Sequence, residues 1–494
     1  MKKITLTLFL SMICFVCYSQ TNLWRKIKLN PSEAKSYVKN LHKDKYQIFS
    51  LDYNTLKSKL VDAPLRTDPT SKFSVVVNFP DAKGNMERFN IFETSVLAPA
   101  IAVKHPNIKT YIGFSLDNPG ARIRFSVTPQ GVKTMTSYLN KPTLFTVPSE
   151  KGNATEYITY HRGVRITTKK DFECLTENEL VPIKEINSSS RDANDQILRT
   201  LRIAISTTGE YTNFWDDGDD TNGDAQADAL AALVSTLNRS NEVFEVDMAV
   251  TFQLVSGIEI IYPSASSDPY TGSYNSQLQS TLTSEIGESN YDIGHLFNYG
   301  GNNGNAGCIG CVCVDGQKGS GFSSHSFTDN DGGPNMDDFF DIDYVPHEIG
   351  HQMGGNHTFS QSSEGTGVNY EPGSGTTIMG YAGITGSNDV QDHSDPYFHY
   401  GTINQVLNNL DNRTCWTSTI ISNNPPLANA GDNYTIPQGT AFKLVGSATD
   451  SDEGDVLTYT WEQVDSGTTT SSSFGPTKTS GAVWRSRPPS TNPT

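Results

Sequence analysis

The sequence predicts a multi-domain protein with a β-rich N-terminal region, a central α/β domain with a mixed sheet plus long helices, and a short all-β sandwich at the C terminus. Three observations support this order. The chain has 494 residues, which suits about three domains. Strand-like alternation is found towards both ends, whereas the middle also shows the apolar spacing of helices. Polar linkers at 187–195 and 423–426 separate the three regions.

The first 20 residues have the pattern of a secretory signal peptide. Two lysines precede an apolar run at 4–16, and Cys17 and Ser19 suit cleavage at the end of the segment. The run is too short to span a membrane, and we expect no transmembrane segment elsewhere. Cys14 or Cys17 would be the alternative, a lipoprotein cysteine, but neither follows a small residue. We therefore expect a secreted, extracellular protein. The alternative is a secreted protein that stays attached to the cell surface.

Composition narrows the classes of partner. The net charge of −17 disfavours nucleic acid and anionic membrane surfaces. Charged residues make up only 18% of the chain, and Gly, Ser, Thr and Asn are frequent, which is typical of loop-rich extracellular proteins. We expect a monomer.

The N-terminal region, 21–190, is predicted to be a β-rich module. The segments 73–79 and 121–127 have strand character, and the second alternates apolar with polar or charged residues. The region contains no catalytic constellation. Its linker at 187–195 is polar, and cleavage there, with Arg191 as one candidate position, is a hypothesis about maturation.

The central domain, 197–420, begins with a predicted strand at 201–206. An acidic loop at 216–224 has carboxylates that suit calcium, but their spacing does not fit an EF-hand, and a solvated loop is the preferred interpretation. Apolar residues at helical spacing predict a helix from Ala225 to about Glu242. A further strand is predicted at 248–255.

The run from His347 to His357 is the most informative segment. His347 and His351 are four residues apart, so a helix places both on one face. Glu348 then lies beside the ion and near a metal-bound water. Gly354 permits a sharp exit that returns His357 as a third ligand. Three nitrogens with an open fourth position indicate catalytic zinc.

A second motif follows at Thr376–Tyr381. Met379 lies 22 residues after His357 and suits the Met-turn that accompanies the long zinc motif. The alternative is an ordinary helix with histidines on a polar face. The co-occurrence of the two motifs argues against that alternative.

These motifs carry a resemblance to a known family. The residues at 341–346 before the first histidine, the exit at 356–359 and the segment 378–383 together resemble reprolysin-like (adamalysin-type) metzincins of the bacterial secreted branch. The resemblance covers 197–420. The segment 291–297 is similar to the strand that borders the cleft in that branch. The resemblance implies a zinc endopeptidase that acts on protein or peptide substrates.

The resemblance also implies roles for individual residues. The zinc ligands would be His347, His351 and His357. Glu348 would be the general base, and Met379 would lie under the site. Tyr381 lies two residues after the methionine, as in astacin and serralysin relatives, where a tyrosine approaches the zinc or the transition state. A packed tyrosine is the alternative.

Five cysteines remain after the signal segment. Cys308, Cys311, Cys313 and Cys415 can form two disulfides, with three connectivities open, and we expect Cys415 to pair with the upstream cluster. A second metal site at the upstream cluster is the alternative. Cys174 is left over.

The odd cysteine suggests a latency device. A thiolate is a strong zinc ligand, and relatives with pro-domains use such a cysteine to fill the fourth position. The sequence around Cys174 does not match the familiar switch motif of the animal relatives. Asp171 or Glu173 would be alternative blocking ligands, and a free or intermolecular cysteine is a further alternative. We therefore expect 21–190 to be a pro-domain and the protein to be a zymogen.

The C-terminal region, 425–494, alternates in strand fashion at 434–436, 442–445 and 457–461. Trp461 suits the core of an immunoglobulin-like sandwich, and the region resembles accessory domains of the polycystic-kidney-disease or cadherin type. Its strands are too few to close a sandwich, so we expect an incomplete domain. Calcium between strands is an alternative role for three aspartates, which are Asp450, Asp452 and Asp455.

Two functions from different classes compete. The first is a secreted zinc endopeptidase made as a latent zymogen. The second is a surface-binding or adhesion protein that uses the same scaffold without catalysis. Glu348 favours the first, since an inactive scaffold has no need of a general base.

Overall fold

The computed structural model describes residues 23–28, 45–67, 74–163, 172–177, 193–327 and 338–494. Three predictions lie outside these residues: the signal peptide, cleavage at Arg191 and Asp171 as an alternative latency ligand. Within the described ranges, none of the helices is both long and apolar enough to cross a membrane.

The N-terminal region is an antiparallel sheet, and its described strands run in the order β1-β2-β9-β8-β7-β6-β5-β4-β3. The strands are β1 Trp24–Lys26, β2 Tyr46–Leu51, β3 Val75–Pro80, β4 Met86–Glu93, β5 Lys109–Ser115, β6 Arg122–Thr128, β7 Gly131–Ser137, β8 Leu144–Pro148 and β9 Glu156–His161. Two short helices, α1 Tyr53–Leu60 and α2 Pro99–Ala102, accompany them. The predicted strands at 73–79 and 121–127 correspond to β3 and β6.

The central domain contains a mixed sheet, as predicted. Its described strands are β10 Glu173–Cys174, β11 Ile197–Thr207, β12 Val250–Leu254, β13 Ile293–Tyr299, β14 Asn302–Asn305, β15 Gly321–His325 and β16 Thr417–Ile420. The order is β10-β14-β15-β13-β11-β12, with β16 antiparallel to the start of β11. The strands β12, β11, β13 and β15 are mutually parallel, β14 is antiparallel to β15, and β10 is parallel to β14.

One prediction about this sheet is wrong. The segment 291–297 was expected to border the cleft, but β13 lies between β11 and β15 in the middle of the sheet. The strand that Glu348 of the motif approaches is β14, through Gly304, and β10 pairs with the outer side of β14. The run Ile293–Phe297 is fully buried, and continuous burial produces the same apolar pattern in any interior strand.

Helices cover this sheet: α3 Gly209–Trp215, α4 Ala225–Met248, α5 Tyr274–Glu285, α6 Val345–Met353 and α7 Tyr400–Leu410. The side chain of Asp224 caps the first turn of α4 by accepting from Ala227 N. The helix ends where Ala249 adopts a φ of 50°. It therefore continues beyond the predicted end near Glu242, because Val243, Phe244 and Met248 still bury apolar side chains at helical spacing.

The N-terminal sheet packs on α4. Arg124 of β6 is buried and lies 3.0 Å from Glu242 and also against Glu245. Apolar residues of both regions form one continuous core. A parallel β-bridge joins Leu97 to Leu254 at the end of β12. Because β10 pairs with β14, segments from before residue 197 cover parts of both outer strands of the central sheet.

The C-terminal region differs from its prediction. Within 425–494 the structure has one two-stranded sheet, formed by β17 Leu427–Asn429 and β18 Ser447–Thr449. The strands expected at 434–436 and 442–445 are not formed. Polar residues break each apolar run after a few residues, and many apolar side chains of the region are exposed. The immunoglobulin-like sandwich stays a prediction.

Candidate metal centre

The histidine motif lies on α6, which directly follows one turn of π-helix at Phe340–Tyr344. Pro346 occupies the first turn of α6, where its missing N–H costs no helical hydrogen bond. Gly354 ends the helix with a φ of 123°, which glycine tolerates. His347 and His351 lie one turn apart and are both buried. The chain then returns towards them.

The three histidines meet at one point. His351 Nε2 and His357 Nε2 are 3.0 Å apart, and the ring centres of His347 and His357 are 5.3 Å apart. The possible ligand atoms of these histidines and of Cys174 all lie within 4.8 Å of one another. The structure therefore brings together the three predicted zinc ligands and Cys174, whereas the alternative ligand Glu173 is exposed.

Backbone carbonyls set the tautomers of two of these imidazoles. His347 Nδ1 donates to Ile378 O and His351 Nδ1 donates to Gly355 O, each at 2.7 Å. Because a carbonyl oxygen only accepts, each Nε2 carries a lone pair and faces the centre. Burial, followed by the charge of His357, lowers the pKa of His347 to about 3, and the same causes hold the pKa of His351 well below its usual value. Both rings are therefore neutral at physiological pH.

These residues fit a metal cation. His347 Nε2 is buried and has no hydrogen-bond partner among the described residues. The Nε2 atoms of His351 and His357 face each other across 3.0 Å. Lone pairs directed at one point repel unless a cation lies between them. Three imidazole nitrogens are the donor set of a catalytic zinc site with an open fourth position.

Glu348 lies beside this centre and is fully buried. Its Oε2 accepts from Thr176 Oγ1 at 2.9 Å, and its Oε1 has no partner among the described residues. Burial raises the pKa of Glu348 to about 8. The carboxylate packs directly under β14, since a Cβ on Gly304 would come within 2.3 Å of Oε1. A side chain larger than glycine at 304 would displace Glu348.

Met379 and Tyr381 also border the centre. A Cβ on Gly350 would approach Met379 Sδ to 2.6 Å, so the methionine packs against the zinc-motif helix. Tyr381 Oη is 3.1 Å from His357 Nε2, and its ring centre is 4.6 Å from that imidazole. Burial, followed by the charge of Cys174, raises the pKa of Tyr381. Its hydroxyl is therefore a proton-bearing donor at the edge of the centre.

The segment 172–177 crosses the centre. Cys174 pairs with Gly304 in register, and Cys174 Sγ is 3.5 Å from His351 Nε2. Thr176 Oγ1 accepts from Ala306 N at 2.8 Å while it donates to Glu348. Burial, followed by the charge of Glu348, raises the pKa of the Cys174 thiol. Sequence reasoning missed Thr176, since a lone threonine carries no motif.

Glu364 is a second residue that sequence reasoning missed. Its Oε1 is 3.2 Å from His357 Nδ1, so the third imidazole faces a carboxylate where the other two face carbonyls. Such a carboxylate orients a ligand imidazole and strengthens its Nε2 as a donor. Glu364 lies seven positions after His357 in the chain, and this spacing matches no motif that would have indicated it.

Glu371 is the third residue that was missed. It is buried and accepts from Thr358 Oγ1 at 2.6 Å, from Thr376 N at 2.7 Å and from Thr377 N at 3.1 Å. The hydroxyls of Thr376 and Thr377 donate to it as well. Thr358 follows the third histidine, and Thr377 precedes the carbonyl that receives His347 Nδ1. One carboxylate therefore holds the two segments that present His357 and Met379.

Disulfides brace the far end of α6. Cys308 pairs with Cys311, and Cys313 pairs with Cys415, in line with the expected bond between Cys415 and the upstream cluster. No thiolate is left there for a second metal site. Between the bonded cysteines, Gly310 N donates to His351 O at 2.9 Å and Val312 N donates to Gln352 O at 3.1 Å. These bonds satisfy carbonyls that a helix end leaves without partners.

The other candidate residues have local roles. In the two acidic clusters, carboxylates accept from amides of their own turns, as Asp216 does from Gly218 N and Asp450 from Asp452 N, each at 2.8 Å. Turn residues do this without an ion, so neither cluster supports calcium. His295 is buried and hydrogen-bonded to Gln352 and Ser323, as expected of a histidine that is not a ligand.

Comparison with known proteins agrees with this geometry. The family model described as Metallo-peptidase family M12B Reprolysin-like matches residues 197–410 of the sequence. No curated protein sequence matches the chain. The matched segment contains the whole histidine motif, Met379, Tyr381 and the strands β11 to β15. Residues 197–410 are therefore similar to the reprolysin-like metallopeptidases of family M12B, and this match supports a zinc metalloendopeptidase of that type.

Proposed function

We propose that this protein is a secreted zinc endopeptidase that is made as a latent zymogen and hydrolyses peptide bonds of protein substrates. One observation carries the proposal: the Nε2 atoms of three histidines meet beside a buried glutamate, under the strand β14. We also propose that the protein acts as a monomer. The two disulfides support export to an oxidising compartment.

Each residue of the centre has a role in this proposal. His347, His351 and His357 hold zinc through Nε2. When bound, zinc supplies a Lewis acid that polarises a peptide carbonyl and acidifies water. Glu348 takes the proton of the attacking water and gives it to the leaving amine nitrogen. Tyr381 donates its hydroxyl proton in a hydrogen bond to the oxyanion that develops on the substrate.

Latency would come from the segment 172–177. Cys174 lies within the ligand cluster, so its thiolate would take the fourth metal position. Thr176 hydrogen-bonds the general base, so the same segment would occupy Glu348. Glu173 is exposed on the other face of the strand, which favours Cys174 over Glu173 as the blocking ligand.

The proposal assigns the regions as follows. A signal peptide at 1–20 would be removed, 21–190 would be the pro-domain, 197–420 the catalytic domain, and 425–494 an accessory immunoglobulin-like domain. The docking of the N-terminal sheet on α4 supports a pro-domain that folds together with the enzyme. Cleavage in the linker before 197 would let the segment 172–177 leave the centre.

The test is chelator-sensitive cleavage of a denatured protein substrate by the full chain after limited proteolysis in the linker. We expect activity that o-phenanthroline abolishes and zinc restores. Glu348→Ala should remove the activity, and Glu259→Ala, a change at an exposed glutamate outside the centre, should retain it. Activity that survives Glu348→Ala would refute the mechanism.

A further inference from the structure

We propose that the cleft has a subsite for an aromatic side chain, formed by Tyr344 and His347, and that Phe172 fills this subsite in the latent chain. The enzyme would therefore favour peptide substrates with an aromatic residue near the cleaved bond. This inference rests on the proposed function, because it identifies substrates of the same site.

The first step is the path of the segment 172–176. Glu173 and Cys174 pair with Asn303 and Gly304 of β14, and Leu175 N donates to Gly304 O at 2.8 Å. The segment is therefore an added strand on an exposed sheet edge, which is a common mode of peptide binding. An extended peptide substrate that uses the same edge would follow the same path.

The second step is the alternation of side chains. In an extended chain, residues two apart share one face. Phe172 and Cys174 are partly buried and Thr176 is buried, whereas Glu173 is exposed and Leu175 is 42% exposed. The odd-numbered residues therefore face solvent and the even-numbered residues face the cleft.

The third step is what each inward side chain meets. Cys174 meets the ligand cluster and Thr176 meets Glu348. A peptide must lie along this line for its carbonyl to reach the metal and for its amide nitrogen to reach the base. Phe172, two residues before the one that faces the metal, therefore occupies the neighbouring subsite.

The fourth step is the chemistry of that subsite. The Phe172 ring lies 4.3 Å from the Tyr344 ring and meets the His347 ring edge-on at 5.5 Å. Tyr344 is itself buried and packs edge-on against His325 at 4.8 Å. Tilted and edge-on contacts are the favoured geometries for aromatic pairs, and an aliphatic side chain makes only part of them. The walls of the subsite therefore select for a ring.

A peptide with the sequence of residues 172–177 tests the subsite directly. We expect it to inhibit the activated full chain. Phe172→Ala in the peptide should weaken inhibition about 10-fold, because both ring contacts are lost. Leu175→Ala is the matched control, since that side chain faces solvent, and should change inhibition less than twofold. Equal effects of the two changes, or no effect of Phe172→Ala, would overturn the proposal.

Substrate profiling tests the same inference without the pro-segment. Quenched peptides would place Phe, Leu, Ala or Lys at each position around the cleaved bond. We expect one position at which Phe raises kcat/KM about 10-fold over Ala. Tyr344→Leu should remove this preference, and Tyr344→Phe should keep it. Chelator-sensitive cleavage without aromatic preference would overturn this inference alone, whereas absence of chelator-sensitive cleavage would overturn the proposed function.

Discussion

Two regions of this protein bury ionisable side chains, and they do so in opposite ways. At the interface between β6 and α4, buried charges meet their counter-charges: Arg124 lies against Glu242 and Glu245. Burial alone would raise the pKa of Glu245, but the charges of Arg124 and Arg66 hold it down to about 2. This interface is complete within the chain.

The metal centre lacks this completeness. Its three Nε2 atoms face one another, and Glu348 Oε1 has no partner among the described residues. Burying polar groups without partners is costly, so proteins retain such arrangements where a ligand or a reaction needs them. The comparison shows two ways of burying ionisable groups: the interface pairs an arginine with two glutamates, whereas the centre turns the Nε2 atoms of its imidazoles towards one another.

Arg124→Ala should have the largest effect on stability. It leaves Glu242 and Glu245 buried without this partner, so we expect the free energy of unfolding to fall by about 3–5 kcal/mol. Arg88→Ala is the control, since Arg88 pairs with Asp117 on the surface, where water and salt screen the pair, and should lower stability far less. Urea unfolding of the full chain measures both. Equal losses would remove the distinction between the interface and surface pairs.

Glu371→Gln should act on the metal centre. An amide presents two N–H donors where the carboxylate only accepted, so the segments that carry His357 and Met379 would loosen. We expect zinc affinity, measured by chelator competition, to fall about 10- to 100-fold. Asp292→Asn breaks a buried pair with Arg202 away from the centre and should lower stability without this loss. A wild-type zinc affinity in Glu371→Gln would contradict the positioning role.

Thr176→Val should weaken latency. Valine has a similar shape but cannot donate to Glu348 or accept from Ala306 N. Loss of these bonds should raise about 10-fold the fraction of uncleaved molecules in which the segment 172–177 has left the centre. The rate at which the uncleaved chain hydrolyses a small peptide should rise by the same factor. Thr155→Val, at an exposed position far from the centre, serves as the control. An unchanged residual rate would show that Thr176 does not contribute to the lock.

Asp247→Asn should change how stability depends on pH. Burial raises the pKa of Asp247 to about 7, with the charge of Glu462 adding to this and the charge of Arg122 opposing it. A raised pKa means that the folded chain keeps a proton that the unfolded chain loses, so stability declines as pH rises from about 4 to 7. In the wild-type chain this group lowers the free energy of unfolding by up to about 1.4 kcal/mol per pH unit over this range, and the asparagine variant should not show that contribution. Unfolding curves at pH 5, 6 and 7 would measure it, and identical slopes would count against the assignment.

The sequence by itself determined the centre's chemistry. His347, His351 and Glu348 stand within one helical turn of each other, and such short spacings dictate side-chain positions once a helix forms. Gly354 marks the exit that returns His357, and the motif around Met379 is equally local. The strands β11 and β12 and the helix α4 between them were also readable, because apolar periodicity is a local property.

Only the tertiary structure decided what surrounds that centre. Thr176 meets Glu348 across 172 residues of chain, and Glu371 collects donors from two separate segments. Long-range pairing also explains why β14 borders the cleft although β13 was predicted to do so. The order of strands in a sheet depends on pairing between distant segments and not on the local sequence pattern. Helical spacing, which is local, specified the ligands, while long-range packing and hydrogen bonding determined how they are oriented, braced and covered.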